Sequence, residues 1–219
     1  MITINELHEK LQKHLDEQSK NWESFIYAQE KGFYQGFDEI KIDGCRPTEK
    51  RFKRYNIEKY LSKEKSALDI GSNCGFFSLF SSKFLGNVTG IEINPYLISI
   101  ANDTKEFLKI HNANFISSKF EELQTNERFD IVFSFANDST IDNNTEFNFE
   151  EYIQKILNLL KDDGLLIFES QAIDAIIPQK FEPKMKILED FFTVLEKRNV
   201  ESEYPLNVPK RIFLVLKKK

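Results

Sequence analysis

The sequence predicts an α/β fold in which a mostly parallel sheet is covered by helices on both faces. The first observation is that short apolar runs alternate with longer amphipathic segments from residue 66 onward. The second is a turn between Gly71 and Gly75, where the first of these runs passes into a helical pattern. The third is that the last two apolar runs, 192–200 and 211–218, leave no room for a helix between them, so one of them runs antiparallel.

The N-terminal part, residues 1–62, is predicted to be a helical extension and a loop ahead of a main domain at residues 63–219. Apolar residues recur at helical spacing from Ile4 and predict one or two amphipathic helices over residues 3–31. Such a helix either packs on the edge of the domain or forms a lid over a substrate site. Residues 32–52 contain several glycines and Pro47 and are typical of a loop, and residues 48–61 of a helix.

The main domain is predicted to alternate strands with helices. Strands are expected at residues 67–70, 88–93, 114–117, 129–136 and 164–170. Helices are expected at residues 75–84, 95–111 and 147–160, with a turn or a short helix at 121–123. Gly164 is expected to stop the helix before the fifth strand. A helix at residues 181–190 precedes the last two strands.

Composition restricts the class of protein. The chain has 219 residues, with 41% hydrophobic and 30% charged residues, which suits one globular domain. A net charge of -5 argues against a partner such as duplex DNA. The charged N-terminus is unlike a secretory signal, and no apolar run approaches the roughly 18 residues of a membrane span. Cys45 and Cys74 fit reduced thiols, so we expect a cytoplasmic protein without a membrane partner.

The stretch LDIGSNCGFFS, residues 68–78, decides which ligand the glycine turn suits. A nicotinamide dinucleotide fingerprint would need glycine at positions 73 and 76, where this chain has Asn73 and Phe76. The stretch instead resembles the first motif of class I S-adenosylmethionine-dependent methyltransferases, an acid followed by alternating glycines. Asn73 replaces the middle glycine, a mild change because asparagine tolerates left-handed backbone. Glu92, at the end of the next strand, stands where the family carries an acid that accepts both ribose hydroxyls.

The resemblance covers residues 66–170 and implies a Rossmann-like class I methyltransferase fold, with a seven-stranded sheet containing one antiparallel strand. It implies S-adenosylmethionine as the cofactor. Where many members carry an acid that meets the adenine, this chain has Lys119, which cannot accept a hydrogen bond; Phe120 could cover the adenine face, and Ser118 could accept instead. The expected cofactor-binding residues are Arg46, Asp69, Gly71, Ser72, Asn73, Gly75, Phe76, Glu92, Ile93, Lys119, Phe120 and Phe135.

Candidate catalytic residues follow the fourth and fifth strands, FDIVFSFAND and GLLIFES. Methyl transfer needs an oriented acceptor and often a general base. Asp138 and Glu169 are expected to face one crevice and could each act as base, and Asn137 could orient the acceptor. Asp138 could instead cap the following turn, and Glu169 could be a buried acid that holds a loop. The three histidines are expected to lie on the surface or in packing positions.

Two further features leave alternatives open. Arg46, with Thr48 and Arg51 nearby, could offer paired donors to the cofactor carboxylate or to a phosphate on the substrate; Tyr34 and Gln35 are weaker candidates for contacts. Acids together with Asn143 or Asn144 could hold a divalent ion, although the spacing does not require a metal.

The leading functional hypothesis is O-methylation of a small polar acceptor, such as a sugar or a sugar phosphate. The runs GCRPTEKRF and FNFEEYIQKILNLLKDDGLLIFESQ are similar to small bacterial methyltransferases of surface-polysaccharide clusters. One alternative is an RNA methyltransferase, which the acidic balance disfavours. The other is a non-catalytic partner protein that keeps the fold and the cofactor. The oligomeric state stays open.

Overall fold

The computed structural model describes residues 2–27, 32–139 and 145–219. The helices are α1 (Ile4–Asn21), α2 (Thr48–Tyr55), α3 (Phe76–Ser81), α4 (Pro95–Phe107), α5 (Phe149–Leu159), α6 (Ala172–Ile176) and α7 (Pro178–Phe191). The strands are β1 (Phe33–Gly36), β2 (Gly44–Pro47), β3 (Ser66–Ile70), β4 (Asn87–Glu92), β5 (Ala113–Ser117), β6 (Phe129–Phe135), β7 (Leu160–Glu169), β8 (Phe192–Glu201) and β9 (Lys210–Lys218). Within these ranges no helix is both long and apolar enough to cross a bilayer.

The main sheet has seven strands in the order β5-β4-β3-β6-β7-β9-β8. Neighbouring strands from β5 to β7 pair in parallel, whereas β9 pairs antiparallel with both β7 and β8. This confirms the Rossmann-like fold and the single antiparallel strand. Because β9 runs in reverse, its first residues lie at the same sheet edge as the last residues of the parallel strands.

Both faces of the inner strands β3, β4, β6, β7 and β9 are largely buried, which explains why these strands read as apolar runs. Along β6, Ile131 and Phe133 point into a core layer with Phe52 and Phe77, while Val132 points into the opposite layer with Tyr152 and other side chains. A third apolar cluster joins α1 to α3 and α4. Aromatic rings pack face to edge in the layer that covers β3 and β6.

Helix α1 is shorter than predicted. Thr3 and Glu6 form a reciprocal capping box at its start, and it ends at Asn21, after which Trp22 is extended. The predicted helical character is therefore wrong for residues 22–27; residues 28–31 lie outside the described part. Leu7 and Leu11 are fully buried against the cluster that includes α4. The helix packs on the edge of the domain, and Gln18 and the segment after the helix line the cavity described below, so a lid stays a prediction.

The predicted loop at residues 32–52 contains two short parallel strands, β1 and β2. They escape prediction because they are four residues long and carry glycine and proline. Gly44 approaches the backbone of Gln35 and Gly36 so closely that a Cβ would collide with it. The following helix ends at Tyr55, well before residue 61, and Asn56 takes the left-handed conformation after it.

Smaller corrections follow from local contacts. Gly164 does not stop a helix, because α5 already ends at Leu159 and the long strand β7 contains the glycine. Residues 121–123 form a turn, as one of the two expectations held. Helix α6 was not predicted, since its five residues are too short for a periodic pattern.

Candidate active site

A cavity of about 220 Å³ lies at the carboxyl edge of the sheet. Residues from the ends of β3, β4, β6 and β7, from the start of β9 and from the segment after α1 line it. Among its lining residues are Trp22, Tyr34, Asp69, Asn73, Glu92, Asn137, Gln171, Tyr204 and Arg211. In an open α/β sheet this edge is where ligands bind.

The glycine turn after β3 is left-handed at three positions. Gly71, Asn73 and Gly75 have φ of 63°, 53° and 71°. Asn73 therefore adopts the conformation expected of an asparagine that replaces a glycine. A Cβ at Gly71 would collide with the Asn137 side chain, and one at Gly75 would lie 2.6 Å from Ala101 Cβ. The two glycines keep the turn close to β6 and α4.

Buried hydrogen bonds fix this turn. The Asn73 amide donates to Glu92 Oε2 at 3.0 Å, and the Ser72 amide donates to the Ile91 carbonyl at 2.8 Å. Gln35 accepts from the Phe76 amide and donates to the Ser72 carbonyl. Asn73 Oδ1 is buried and has no hydrogen-bond partner among the described residues, and Asn73 lines the cavity. An acceptor of this kind fits a ligand that brings a donor.

Glu92 ends β4 at the cavity, as predicted. Its carboxylate accepts from the Asn73 amide and, at Oε1, from the Asn94 amide at 3.0 Å. Asn94 in turn caps α4 by accepting from the Tyr96 amide. These backbone bonds hold the Glu92 carboxylate at the edge of the cavity. Ile93 follows it and also lines the cavity.

Asp69 is buried beside the turn. Ser78 Oγ donates to Asp69 Oδ2 at 2.5 Å. Burial raises the pKa of Asp69 to about 6, although the Ser78 bond and the charge of Arg51 act in the opposite direction. The effect of burial thus outweighs that of both groups that favour the ionised form.

The residues expected around adenine separate into two groups. Phe120 is buried against Tyr152, with ring centroids 5.0 Å apart, and it borders a small side pocket with Ser118 and Ile93. Lys119 points away and pairs with Glu146 at 3.3 Å on the surface. Phe120 thus lies beside Glu92 and Ile93, whereas the Lys119 side chain is engaged on the surface; their contacts with adenine stay a prediction.

Three arginines surround one buried carboxylate at the other end of the cavity. Arg46 donates to both oxygens of Glu169, at 2.6 and 2.9 Å, and Arg211 Nε lies 3.2 Å from Glu169 Oε1. The Tyr55 hydroxyl also donates to Glu169. Arg51 lies 5.3–5.6 Å from the ring centroids of three aromatic residues, Phe135 among them. The expected cofactor contact of Arg46 stays a prediction.

Glu169 is fully buried and is not among the described residues that line the cavity. Burial alone would raise its pKa, but the charges of Arg46, Arg211 and Arg51 hold that pKa below the ordinary value. Its arrangement matches the alternative of a buried structural acid. A catalytic role for Glu169 stays a prediction.

Asp138 also turns away from the cavity. Its Oδ2 accepts from Lys184 at 2.5 Å, and Lys184 also donates to Asp174 at 2.8 Å. Burial raises the pKa of Asp138, and the Lys184 charge only partly opposes it. Asp138 and Glu169 thus do not face one crevice. The carboxylate of Asp138 points to Lys184 and that of Glu169 points to Arg46, and both partners come from distant segments of the chain. Asn137 does line the cavity, held by a bond from its Nδ2 to the Ile70 carbonyl.

No group of acidic, histidine or cysteine side chains in the described ranges could hold a metal ion. Asn143 and Asn144, considered for such a site, lie outside those ranges. His8 contacts the Ile40 carbonyl and His14 contacts Asp103, both on the α1 side of the fold. These two histidines occupy the packing positions expected of them.

Sequence reasoning missed Arg211, Tyr204 and Gln171. Arg211 opens an apolar run, and its placement at the site follows from the reversed direction of β9. The sequence feature that could have identified Arg211 is its charge at the start of an otherwise apolar strand. Tyr204 lies in the loop before β9, and Gln171 donates to the Ala136 carbonyl after β6. Neither has a local pattern that marks it.

Comparisons with known proteins agree with this geometry. The family described as "Methyltransferase domain" matches residues 61–206. A segment of 74 residues is 39% identical to release factor glutamine methyltransferase of Fusobacterium nucleatum. That match covers 32% of this chain and 21% of the relative, so the chain spans about a fifth of the relative's length.

Solved structures share the fold. N-methyltransferase NodS from Bradyrhizobium japonicum WM9, in complex with S-adenosyl-L-homocysteine, matches with a TM-score of 0.63 and 15% identity over 97% of this chain and 98% of that chain. The tRNA m1G37 methyltransferase of M. jannaschii matches with a TM-score of 0.56 and 21% identity over 76% of this chain and 48% of that chain. At such identities the likeness concerns the fold alone.

Proposed function

This chain belongs to the class I S-adenosylmethionine-dependent methyltransferases, and from that premise we propose that it methylates an oxygen of a small polar acceptor, such as a sugar derivative. The observation that carries the proposal is the extent of the cavity. It runs without interruption from the glycine turn after β3 to the polar residues at β7 and β9. The groups suited to the cofactor and those suited to a small acceptor therefore line one and the same cavity.

The residues around the glycine turn fit the cofactor. We assign the amino-acid part to the turn at Gly71 and Asn73, whose unpartnered Oδ1 offers an acceptor, and the ribose to Glu92. Ile93 and Phe120 would flank the base. When bound, S-adenosylmethionine supplies a methyl group on a sulfonium. The chain itself orients both molecules and shields them from water.

A small acceptor suits the walls of the far end. Tyr204 lies there, where its carbonyl accepts from Arg211, and the ring centroids of Tyr34 and Tyr204 lie 5.6 Å apart in an edge contact. Aromatic faces pack well against the apolar faces of sugar rings, and Gln171 and Asn137 add hydrogen-bonding groups. This arrangement supports a compact polar acceptor over an extended polymer.

We propose Asp138 as the general base and a positioning role for Glu169. A base works best when its pKa lies near the working pH, and burial moves the pKa of Asp138 in that direction, whereas the arginines hold that of Glu169 low. Asp138 Oδ1 has no hydrogen-bond partner among the described residues. Asp138 would take the acceptor proton after a side-chain rotation away from Lys184.

An RNA acceptor is the alternative within the same chemistry. Proteins that bind RNA expose basic groups along the path of the backbone. Here Arg46, Arg51 and Arg211 are each buried inside the cavity. We therefore favour a small acceptor. Both cysteines are free thiols, which supports the cytoplasm as the compartment that we propose.

Calorimetric titration with S-adenosyl-L-homocysteine tests the cofactor assignment. Wild-type protein is expected to bind S-adenosyl-L-homocysteine and not to bind a nicotinamide dinucleotide. Glu92→Ala is expected to weaken binding by about 1–3 kcal/mol, the usual loss for a charged hydrogen-bond partner. Glu122→Ala, an exposed acid away from the cavity, serves as the matched control. Equal affinity of both variants for S-adenosyl-L-homocysteine would show that Glu92 does not contribute to cofactor binding.

Methyl transfer to a panel of sugars, sugar phosphates and total RNA then tests the acceptor class. Transfer to a sugar or its derivative, with kcat lost in Asp138→Asn while acceptor KM is kept, is the expected result. Transfer to RNA alone would overturn the acceptor proposal.

A further inference from the structure

The far end of the cavity lies well away from the glycine turn. Along the sheet edge, β3 is followed by β6, β7 and β9. With neighbouring strands about 4.8 Å apart, the start of β9 lies roughly 14 Å from the end of β3 along the sheet. Arg211 stands at that start and lines the cavity. Its guanidinium therefore faces the region left for the acceptor.

Charge is unbalanced at this end. Arg46 and Arg211 both contact Glu169, and their other hydrogen bonds go to neutral groups: the Tyr55 hydroxyl, the carbonyls of Ser170 and Tyr204, and the Ser202 hydroxyl. Two guanidinium groups thus share one carboxylate. Arg51 adds a third positive group on the same wall of the cavity. The arrangement favours a ligand that brings negative charge.

One donor of this cluster is unsatisfied. Arg46 is 2% exposed, it lines the cavity, and its Nε has no hydrogen-bond partner among the described residues. A buried unpaired donor on a charged group is unfavourable unless a ligand completes it. Guanidinium groups fit the oxygens of phosphate and carboxylate groups in pairs.

We propose that Arg46 and Arg211 form a subsite for an anionic group, phosphate or carboxylate, on the acceptor molecule. The inference rests on the proposed function and names the class of acceptor: a small molecule that carries both a hydroxyl and an acidic group. Glu169 holds the two guanidinium groups in place and offsets one of their two positive charges, and Arg51 adds a further positive charge nearby. The acidic group anchors the acceptor at β9 and leaves its hydroxyl toward β3.

Trp22 provides a direct readout, because it is the only tryptophan of the chain and it lines the cavity. Protein saturated with S-adenosyl-L-homocysteine is titrated with inorganic phosphate in one arm and with acetate in the other, while tryptophan fluorescence is recorded at constant ionic strength. At least one anion is expected to bind, and the stronger arm distinguishes a phosphate from a carboxylate.

Arg211→Met is expected to weaken anion binding at least about tenfold, the usual effect of removing a charged hydrogen-bond donor. Arg211→Lys keeps the positive charge but lacks the paired donors, so its anion affinity should lie between those of wild type and Arg211→Met. Arg128→Met is the matched control, since Arg128 lies before β6 at the opposite edge and is exposed. Affinity for S-adenosyl-L-homocysteine within about twofold of wild type in every variant shows that the fold is kept.

Three results would overturn the subsite: no binding of either anion, equal anion affinity in Arg211→Met and wild type, or weakened S-adenosyl-L-homocysteine binding with unchanged anion binding. The last result would show that the arginines bind the carboxylate of the cofactor and not the acceptor. Failure of the proposed function is a separate result, because it appears as absent cofactor binding in the wild type before any anion is added, or as methyl transfer to RNA alone in the acceptor panel.

Discussion

Replacing Asp69 by asparagine is expected to stabilise the cofactor-free protein at pH 8 and to leave its stability nearly unchanged at pH 4. In the folded protein, burial raises the pKa of this carboxyl from 3.8 to about 6. Below pH 4 both folded and unfolded chains are protonated at Asp69. Between pH 4 and pH 6 the folded chain binds more protons, so the free energy of unfolding falls as pH rises.

The magnitude follows from the size of the shift. One pKa unit corresponds to 1.36 kcal/mol, so ionising Asp69 in its buried site lowers the free energy of unfolding by about 3 kcal/mol once the pH exceeds 6. Asparagine cannot ionise, and its amide oxygen can still accept from Ser78. The gain of Asp69→Asn over wild type should therefore grow from near zero at pH 4 to about 3 kcal/mol at pH 8.

Urea unfolding of both proteins at pH 4, 5, 6, 7 and 8 measures this difference. Asp130→Asn is the control with opposite sign, because its pKa is held below the ordinary value despite partial burial, by Lys161 and Ser66. That substitution should destabilise the protein at neutral pH, and its effect should vanish as the pH falls. A gain from Asp69→Asn that does not vary with pH, or a loss at pH 8, would refute the reasoning.

Three further substitutions test the packing of the site. Gly71→Ala should lower the free energy of unfolding by about 1–3 kcal/mol, and by more than Gly32→Ala, which has a similar φ but no atom within 4 Å of a Cβ; equal losses would deny the contact with Asn137. Glu169→Gln leaves two buried guanidinium groups without their counter-charge and should remove about 3–5 kcal/mol, and an unchanged Tm would contradict the ion cluster. Leu11→Ala, at a fully buried position of α1, should remove about 2–5 kcal/mol and increase amide exchange in that helix, whereas unchanged exchange would mean that α1 is not held by this side chain.

The sheet could be predicted because each central strand is buried on both faces. Ile131, Val132 and Phe133 form a continuous apolar run. A strand with one face in solvent would instead alternate apolar and polar residues. The strands β1 and β2 could not be predicted in this way, since they pair only with each other and their position depends on the close approach of Gly44 to Gln35. The local sequence does not show that two backbone segments come so close to each other.

The positions of the glycine turn and of Glu92 at the carboxyl edge of the sheet could also be predicted. Asn73 and Glu92 lie in short motifs whose spacing is fixed by one strand and its turn. The directions of Asp138 and Glu169 were not predictable, because Lys184 and Arg46 set them from elements far away in the chain. Side-chain direction at a buried charge follows the counter-charge, whatever its place in the sequence.

The ion pair between Arg46 and Glu169 also has a consequence for the order of folding. The two residues are 123 positions apart, and at about 5–20 residues per second the ribosome needs roughly 6–25 s to make the chain between them. During that interval the guanidinium of Arg46 has no acid to receive it and stays in water. The N-terminal segment is therefore synthesised first, but Arg46 of β2 can reach its final ion pair only once β7 has been made.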